Sequence, residues 1–391
     1  MTKYFIHGCL SAVIMCAVSC SSDYPDIPSQ GMSGNLMDQD KLYSMLEQYY
    51  VEVHPSTRTS LPGFRITEVR SQSYSVANVL ESDSISLPTR AIEEQDFTVQ
   101  TVCMDFGETS GYAVVSDDER LERVFFFTEN GEPSDTTFIA PLQDLIESVP
   151  VIAANMILND DNVSQTRGTV TTYVIEDIVK FHWGQGYPFN NSMPTCDCAE
   201  CYNTNGHKPA GCVTTAVAQY LAKRGNFKGS YYPNDISDFY QFPYMYYEFS
   251  LPQARQIANY FLEIAQNCQI EFKCGGSGST VDAVVNYLKE IGINCSIPST
   301  GFGTNQIIAS LASEIPLIMS GRNAAGKGHM WLVTGVIYKT DQVTGLTGNR
   351  DFYCNWGWNS KSDGWTIGDY YTPQDRSPYS KNIQIIYTYG W

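Results

Sequence analysis

The sequence predicts an α+β fold in which helices and strands are mixed within each of two successive regions. In the first region, a helical spacing of apolar residues over 42–49 precedes strand-like alternation over 97–103. In the second region, helical patterns come first and strand-like segments follow, an order typical of an α+β domain. The chain has 391 residues, of which 43% are hydrophobic and 13% aromatic, so each region is able to bury a core of its own.

The remaining elements follow from the same periodicities. The first region continues with two predicted strands, at 111–115 and 124–128, and ends with a predicted helix over 142–156. Helical patterns in the second region predict helices at 174–181, 212–223, 254–265 and 281–290. Apolar segments rich in β-branched residues predict strands at 316–319, 329–338, 351–354 and 383–387.

Acidic residues outnumber basic ones, and the excess lies in the first region. The chain carries 24 Lys and Arg against 42 Asp and Glu, a formal net charge of −18. Nucleic-acid binding needs clustered cations, so a nucleic-acid partner is not expected. Residues 21–167 contain 25 acidic and 8 basic residues, a net charge of −17, whereas residues 168–391 carry −2. This asymmetry predicts an acidic domain over 35–167 and a second domain over 168–391, joined by an exposed polar linker near 159–168.

The amino terminus has the features of an export signal. Lys3 precedes a largely apolar stretch over 4–18, which ends in small residues just before Cys20. A cysteine at the first mature position resembles the bacterial lipoprotein pattern, which implies a signal peptide over 1–19, a lipid anchor on Cys20 and a tether over 20–34. An ordinary cleaved signal peptide is the alternative, and both interpretations place the protein outside the cytoplasm. No later apolar run reaches the ~18 residues of a spanning helix, so an integral membrane protein is not expected.

Among the twelve cysteines, Cys212 has the position expected of a nucleophile. It follows Gly211 and begins the helical pattern over 212–223. The partial positive charge at a helix amino terminus favours the thiolate over the thiol. The backbone amide of the same residue would face a developing oxyanion. The alternative is a small buried side chain that packs in the core.

A thiolate nucleophile needs a base, and the second region offers His182, His207 and His329. His329 begins a predicted central strand and follows a glycine that leaves room around the ring. The next strand ends at Asn355, which is placed to hydrogen-bond the imidazole, and Trp356 would shield that bond from water. The alternative for His329 is a purely structural histidine. The alternative for the segment that begins with Asn355 and Trp356 is a β-turn with aromatic packing.

Gln185 lies between two glycines upstream of Cys212, and its side-chain amide is a suitable oxyanion donor. The order Gln, Cys, His, Asn-Trp along the chain is much more specific than any one member. With that order, the sequence resembles the streptopain family of papain-clan cysteine peptidases. The matching segments are GQGYPFN at 184–190, GCVTTAVAQ at 211–219, GH at 328–329, NWGWN at 355–359 and SDG at 362–364. The segment GYAVVSDDER at 111–120 resembles the strand-turn signature of the family's propeptide.

The resemblance implies a papain-like, two-lobed peptidase domain preceded by a small α+β propeptide domain that is removed on activation. It implies that Cys212 is the nucleophile, His329 the base and Gln185 an oxyanion donor. It also implies that Asn355 orients the imidazole and that Trp356 shields it.

The sequence departs from the family pattern at three places. Thr334 stands where the family often has an acidic residue, and residues 370–378 replace a long glycine-rich loop beside the substrate cleft. The third departure is a cysteine-rich insertion, in which Cys196, Cys198, Cys201 and His207 are candidates for a Cys₃His zinc site. A disulfide in an exported loop and free thiols are the alternatives.

The sequence therefore predicts an exported cysteine endopeptidase made as an inactive precursor, with peptide substrates, its own propeptide as inhibitor and no required cofactor. Acyl transfer by the same Cys-His pair is a second enzymatic hypothesis. A catalytically inactive, surface-anchored binding protein on the same scaffold is the non-enzymatic one.

Overall fold

The computed structural model describes residues 39–55, 63–76, 79, 96–118, 120–159, 170–198, 206–225, 251–274, 276–297, 304–322, 327–341, 347–368 and 383–389. The predicted signal peptide over 1–19, the tether over 20–34 and nearly all of the linker at 159–168 lie outside the described residues. Within the described part of the chain, no helix is long and apolar enough to cross a membrane.

The first region is a small α+β unit. Its elements are helix α1 (Gln39–Val53), strands β1 (Arg65–Ser75), β2 (Asp96–Asp105), β3 (Ser110–Asp118) and β4 (Leu121–Thr128), a 3₁₀ turn (Pro133–Phe138) and helix α2 (Ala140–Asn159). The predicted helices and strands of this region are confirmed, and β1 is an additional strand. β1 escaped prediction because its polar, mostly exposed residues lack an apolar alternation.

The second region also mixes helices and strands. Its helices are α3 (Cys212–Lys223), α4 (Leu251–Asn267), α5 (Val281–Glu290) and α6 (Thr304–Ala312). Its strands are β5 (Val170–Ile175), β6 (Asn294–Ser296), β7 (Leu317–Arg322), β8 (Gly328–Asp341), β9 (Thr347–Asn355), β10 (Gly364–Ile367) and β11 (Gln384–Tyr389).

The helix predicted over 174–181 is wrong. Residues Val170–Ile175 form β5, which pairs antiparallel with the far half of β8, and the segment after it is irregular. β-branched and aromatic residues fill β5, and such residues favour an extended backbone that has a partner strand.

One sheet of eleven strands runs through both regions. Its order is β1-β2-β3-β4-β10-β9-β8-β7-β11-β6, with β5 paired to β8. The two regions meet where β4 pairs antiparallel with β10, with Phe127 opposite Trp365 and Phe126 opposite Thr366. The first region thus adds its strands to an edge of the sheet of the second.

Apolar side chains from both regions share cores on the two faces of this sheet. Phe125 and Phe126 pack in one cluster with Trp331 and Trp356, while Phe127 packs in another with Trp365. A third cluster, formed only by residues of the second region, surrounds α3. The catalytic-site candidates therefore lie between a helical lobe built on α3 and a sheet that the first region extends.

Charged groups also cross the junction. A guanidinium nitrogen of Arg123 lies 2.8 Å from one carboxylate oxygen of Asp351, and the hydroxyl of Tyr49 donates to the other at 3.0 Å. Lys339 forms a further ion pair with Glu52 at 3.1 Å. Burial raises the pKa of Asp351, and the charge of Arg123 acts against that effect.

Candidate active site

Cys212 is the first residue of α3, as the sequence predicts. Gly211 precedes it with φ of 87°, and a Cβ at Gly211 would collide with the carbonyl oxygen of Ser277. Only glycine meets both conditions, so this residue allows the chain to turn sharply into the helix. No side chain caps the helix at Gly211. The partly buried thiol of Cys212 therefore lies where the helix dipole favours a negative charge.

The structure brings the thiol of Cys212 to the side chain of His329, which opens β8. Burial raises the pKa of the Cys212 thiol, but the charge and the hydrogen bond of His329 and the backbone amides of Met330 and Val213 lower it. The net effect places the pKa of Cys212 below its usual range. The other free cysteines show the opposite: burial raises the pKa of Cys268 and Cys354 to about 12. Among these thiols, Cys212 is the one prepared to ionise.

A backbone carbonyl orients the imidazole of His329. Its Nε2 atom lies 2.9 Å from the carbonyl oxygen of Trp356. A carbonyl only accepts hydrogen bonds, so Nε2 carries a proton and Nδ1 is left for the thiol. The ring of His329 is buried, with its centroid 6.3 Å from those of Trp331 and Trp356. The ring of Trp356 therefore lies beside the imidazole, tilted by 43°.

The side chain of Asn355 forms no direct hydrogen bond with the imidazole of His329, which corrects the expectation from the sequence. The amide of Asn355 is instead paired with Gln219 of α3 through two hydrogen bonds of 3.1 Å. Its nitrogen also lies 3.4 Å from the carbonyl oxygen of Phe181. The Asn355 oxygen also accepts from the backbone amide of Gly357 at 3.2 Å, and the carbonyl of that same peptide group, on Trp356, faces His329.

Gln185 lies beside the chain segment that leads into Cys212. Its backbone carbonyl accepts a 2.9 Å hydrogen bond from the amide of Ala210. Its side chain is buried, and its Nε2 atom has no hydrogen-bond partner within the described residues. An unsatisfied buried amide donor is costly unless something else uses it. This is the arrangement expected of a donor that waits for a substrate oxygen.

His182 is the buried group whose role the sequence did not reveal. Its Nδ1 atom lies 2.6 Å from a carboxylate oxygen of Asp363, and its Nε2 atom 3.2 Å from one of Asp177. Burial lowers the pKa of His182, but these two carboxylates outweigh it and raise the pKa to about 10. His182 is therefore held as an imidazolium. The signal available in the sequence was the SDG segment at 362–364, which the family resemblance marked without giving it a role.

Comparisons with known proteins place the chain beside one peptidase family. The model of the Peptidase C10 family matches residues 183–366, which include Gln185, Cys212, His329 and Trp356. The match shows that the chain is similar to this family over just under half of its length. The chain is a cysteine-type peptidase, a hydrolase, as the streptopain resemblance implied.

A solved structure of a fragment of prointerpain A from Prevotella intermedia, in mutant form, has a similar fold. The similarity has a TM-score of 0.52 at 16% sequence identity, over 73% of this chain and 94% of that one. It confirms the predicted α+β, papain-like architecture. No curated protein matches the sequence.

A cysteine of the cysteine-rich insertion forms a disulfide, one of the alternatives that the sequence left open, but its partner lies outside the insertion. Cys198 is bonded to Cys274, 76 residues away, and the sulfur of Cys196 lies 3.1 Å from that of Cys198. Nδ1 of His207 donates a 2.8 Å hydrogen bond to the carbonyl oxygen of Met193, because a carbonyl can only accept. Cys201 lies outside the described residues. Zinc needs free thiolates, and a disulfide-bonded Cys198 cannot supply one, so this cysteine does not serve the candidate Cys₃His zinc site.

Proposed function

We propose that this cysteine peptidase is the inactive precursor of an exported endopeptidase in which Cys212 is the nucleophile and His329 the base. The observation that carries the proposal is the contact between the thiol at the start of α3 and an imidazole whose far nitrogen is fixed by the carbonyl of Trp356. In this arrangement the proton of the thiol has an acceptor, Nδ1 of His329, aligned before substrate arrives.

The reaction would proceed through an acyl-enzyme. The thiolate of Cys212 attacks the peptide carbonyl, and the imidazolium of His329 donates its Nδ1 proton to the leaving amine. The neutral imidazole then takes a proton from water, which attacks the thioester and releases the carboxylate product. The Nε2 proton stays on Nε2, hydrogen-bonded to the Trp356 carbonyl throughout, so the ring keeps its orientation in both steps.

Two donors would stabilise the oxyanion that forms in each step. One is the Nε2 of Gln185, which has no partner within the described residues. The other is the backbone amide of Cys212, at the first turn of α3, where no side-chain cap occupies the helix end. Donors fixed in place before the reaction stabilise the developing charge without reorganising.

The first region would act as the inhibitory propeptide, removed by cleavage in the predicted linker near 159–168. Its strand β4 adds to the edge strand β10, and its Phe126 packs in the same cluster as Trp331 and Trp356, which surround His329. The propeptide is thereby attached directly to the β-sheet wall of the active site.

Export would depend on the signal over 1–19, with a lipid anchor on Cys20 as the membrane attachment. The Cys198–Cys274 disulfide supports export, because disulfides persist in oxidising compartments. If Cys20 carries the anchor, the Cys20→Ala variant will lose incorporation of labelled fatty acid and leave the membrane fraction.

The test of the catalytic assignment is incubation of the purified precursor, followed by sequencing of new amino termini. We expect wild-type precursor to yield a terminus near 168, and the Cys212→Ala variant to remain intact. Cys103→Ala is the matched control, because Cys103 is a free, partly buried cysteine whose pKa is raised by burial. It should be processed as wild type.

The same preparations discriminate the other hypotheses. An acyl transferase would release a product joined to an added amine faster than it hydrolyses the peptide. An inactive binding scaffold would leave Cys212 no more reactive toward an epoxide probe than free cysteine. Processing of the Cys212→Ala precursor at the wild-type rate would show that the catalytic assignment is wrong.

A further inference from the structure

A chain of charged groups ends on Trp356, the residue whose carbonyl orients His329. Asp363 is 2% exposed, and its two carboxylate oxygens accept different hydrogen bonds. One accepts from the backbone amide of Trp356 at 2.6 Å, and the other from Nδ1 of His182 at 2.6 Å. The carbonyl of the same residue, Trp356, accepts from Nε2 of His329.

The position of the Trp356 residue is therefore fixed on both of its backbone sides by buried polar contacts. Its amide is bound to a carboxylate, and its carbonyl to the imidazole of His329. His182 binds the other oxygen of that carboxylate through Nδ1, and its Nε2 lies 3.2 Å from a carboxylate oxygen of Asp177. Burying charged groups costs free energy, and well-packed apolar side chains in their place often give a protein of equal stability. A function beyond stability would account for their presence.

We propose that the His182–Asp363 pair positions Trp356 so that its carbonyl keeps the imidazole of His329 aligned with Cys212. His182 and Asp363 touch neither substrate nor the reacting atoms, so they are positioning residues. The inference deepens the proposed function and rests on the role of His329 as the base. Nothing in the order of motifs along the sequence indicated this role for either residue.

The charges on His182 and Asp363 strengthen the hydrogen bonds that hold the Trp356 backbone in place. The two carboxylates hold His182 as an imidazolium at neutral pH, with a pKa of about 10. Charge-assisted hydrogen bonds are shorter and about twice as strong as neutral ones. The contacts are also buried, so solvent does not compete for the donors.

The Asp363→Asn variant removes one acceptor without changing the shape of the side chain. A carboxylate accepts from Trp356 and His182 at once, but an amide has a single acceptor oxygen and satisfies one of them. The His182→Gln variant removes the positive charge and keeps an N–H donor that reaches toward Asp363. Each variant weakens the hydrogen bond between His182 and Asp363, one at the acceptor and the other at the donor. If one variant does not fold, the other still decides the test.

Asp351→Asn is the matched control. Asp351 is also a buried carboxylate that serves two donors, Arg123 and Tyr49, and it lies on β9, the strand that leads into Trp356. None of its described contacts reaches Trp356 or His329. Asp351→Asn therefore weakens buried hydrogen bonds of the same kind and leaves the contacts among His182, Asp363 and Trp356 intact.

The decisive measurement is the pH dependence of Cys212 alkylation by iodoacetamide in the full chain, followed by mass spectrometry of the peptide that contains Cys212. His329→Ala defines the midpoint of a thiol that has lost its base. We expect Asp363→Asn and His182→Gln to move the midpoint upward, in the direction of His329→Ala, and Asp351→Asn to keep the wild-type midpoint. In the processed enzymes, kcat should fall roughly 10- to 10²-fold in the first two variants with KM little changed.

A purely structural role would lower the unfolding temperature and leave the alkylation midpoint where it is. Wild-type midpoints in folded Asp363→Asn and His182→Gln, together with a raised midpoint in His329→Ala, would overturn the positioning role and leave the proposed function intact. A wild-type midpoint in His329→Ala itself would overturn both.

Discussion

The side-chain amides of Gln219 and Asn355 exchange two hydrogen bonds, each 3.1 Å long, in the buried space between α3 and β9. Gln219 lies two turns after Cys212 on the same helix, and its oxygen also accepts from the amide of Trp183 at 2.9 Å. The pair joins the helix that begins at Cys212 to the strand that precedes Trp356. The Asn355 oxygen also accepts from the backbone amide of Gly357 at 3.2 Å, and this amide belongs to the same peptide group as the Trp356 carbonyl that holds His329. Asn355 therefore acts on the imidazole of His329 only indirectly, through the packing of the two lobes and through this peptide group.

Asn355→Ala should destabilise the protein more than it harms the chemistry. The substitution leaves the amide of Gln219 buried without its partner, which costs about 1–3 kcal/mol. We expect a lower urea midpoint and, in the folded fraction, activity well above that of His329→Ala. In a double-mutant cycle with Gln219→Ala, the two effects should be non-additive by about 0.5–3 kcal/mol. Activity as low as that of His329→Ala, with unchanged stability, would restore the orienting role expected from the sequence.

Gln185→Ala should lower activity without lowering stability, the reverse of Asn355→Ala. Its Nε2 atom has no hydrogen-bond partner among the described residues, so its removal breaks no bond of the folded chain. Loss of an oxyanion donor typically lowers turnover by roughly 10²–10³. We expect kcat of the processed enzyme to fall by that amount while the unfolding midpoint is kept or raised. Steady-state kinetics and urea unfolding on the same preparation separate the two effects, and an unchanged kcat would remove Gln185 from the oxyanion site.

The imidazolium of His182 makes stability depend on alkaline pH. Its pKa is about 10 in the folded chain, against ~6.5 for an exposed histidine, so the folded state holds the proton more tightly than the unfolded state. The corresponding stability is complete below pH ~6.5 and is lost progressively as the pH rises toward 10. The difference in unfolding free energy between wild type and His182→Gln should shrink over that range. Urea titrations at several pH values measure it, and a difference that stays constant would mean that His182 is neutral when folded.

The sequence was sufficient for elements whose signal is local. Helices α3 and α5 begin and end at the predicted residues, because each has an uninterrupted apolar stripe, and α5 has Thr280 as an amino-terminal cap that accepts from Ala283. Strand β5 was mistaken for a helix because its structure depends on pairing with β8, far away in the sequence. Propensity is overridden by such long-range partners.

The site divides in the same way. Cys212, His329 and Gln185 could be chosen by side-chain chemistry and by their order in the chain. The carbonyl of Trp356 could not, since every residue has a carbonyl and only the fold decides which one meets an imidazole. The contact between His182 and Asp363 joins residues 181 positions apart, and neither is distinguished locally.

The attachment of the propeptide should depend little on salt. The first region is strongly acidic and the second nearly neutral, so their net charges do not attract. The junction is formed by β4–β10 pairing and by the apolar clusters that contain Phe126 and Phe127, and its Arg123–Asp351 ion pair is largely buried. Its more exposed ion pairs, Lys339–Glu52 and Lys361–Asp135, each contribute little. After the Cys212→Ala precursor is cut in the predicted linker, we expect the dissociation constant of the two fragments to change less than tenfold between about 50 mM and 500 mM NaCl. A larger change would mean that docking is electrostatic.

Gly364 provides a way to loosen the propeptide without altering the processed enzyme. A Cβ at this position would collide with the backbone carbonyl of Phe127 and approach Cβ of Thr128 at 2.9 Å, and both residues belong to the propeptide strand β4. A backbone carbonyl in a paired strand cannot turn aside as a flexible side chain can, so Gly364→Ala must push β4 away from β10. Such overpacking costs about 1–3 kcal/mol, which corresponds to roughly 5- to 150-fold in the dissociation constant of the two fragments.

Once the propeptide has left, the colliding atoms leave with it. Gly364→Ala should therefore weaken association in the cut Cys212→Ala precursor, and activity should appear sooner during processing of the Gly364→Ala precursor. The fully processed Gly364→Ala enzyme should retain wild-type kcat and KM. Gly63→Ala is the control, because a Cβ there meets nothing within 4 Å. Equal association of the Gly364→Ala and Gly63→Ala fragments would show that β4 does not need to approach β10 this closely for the propeptide to stay bound.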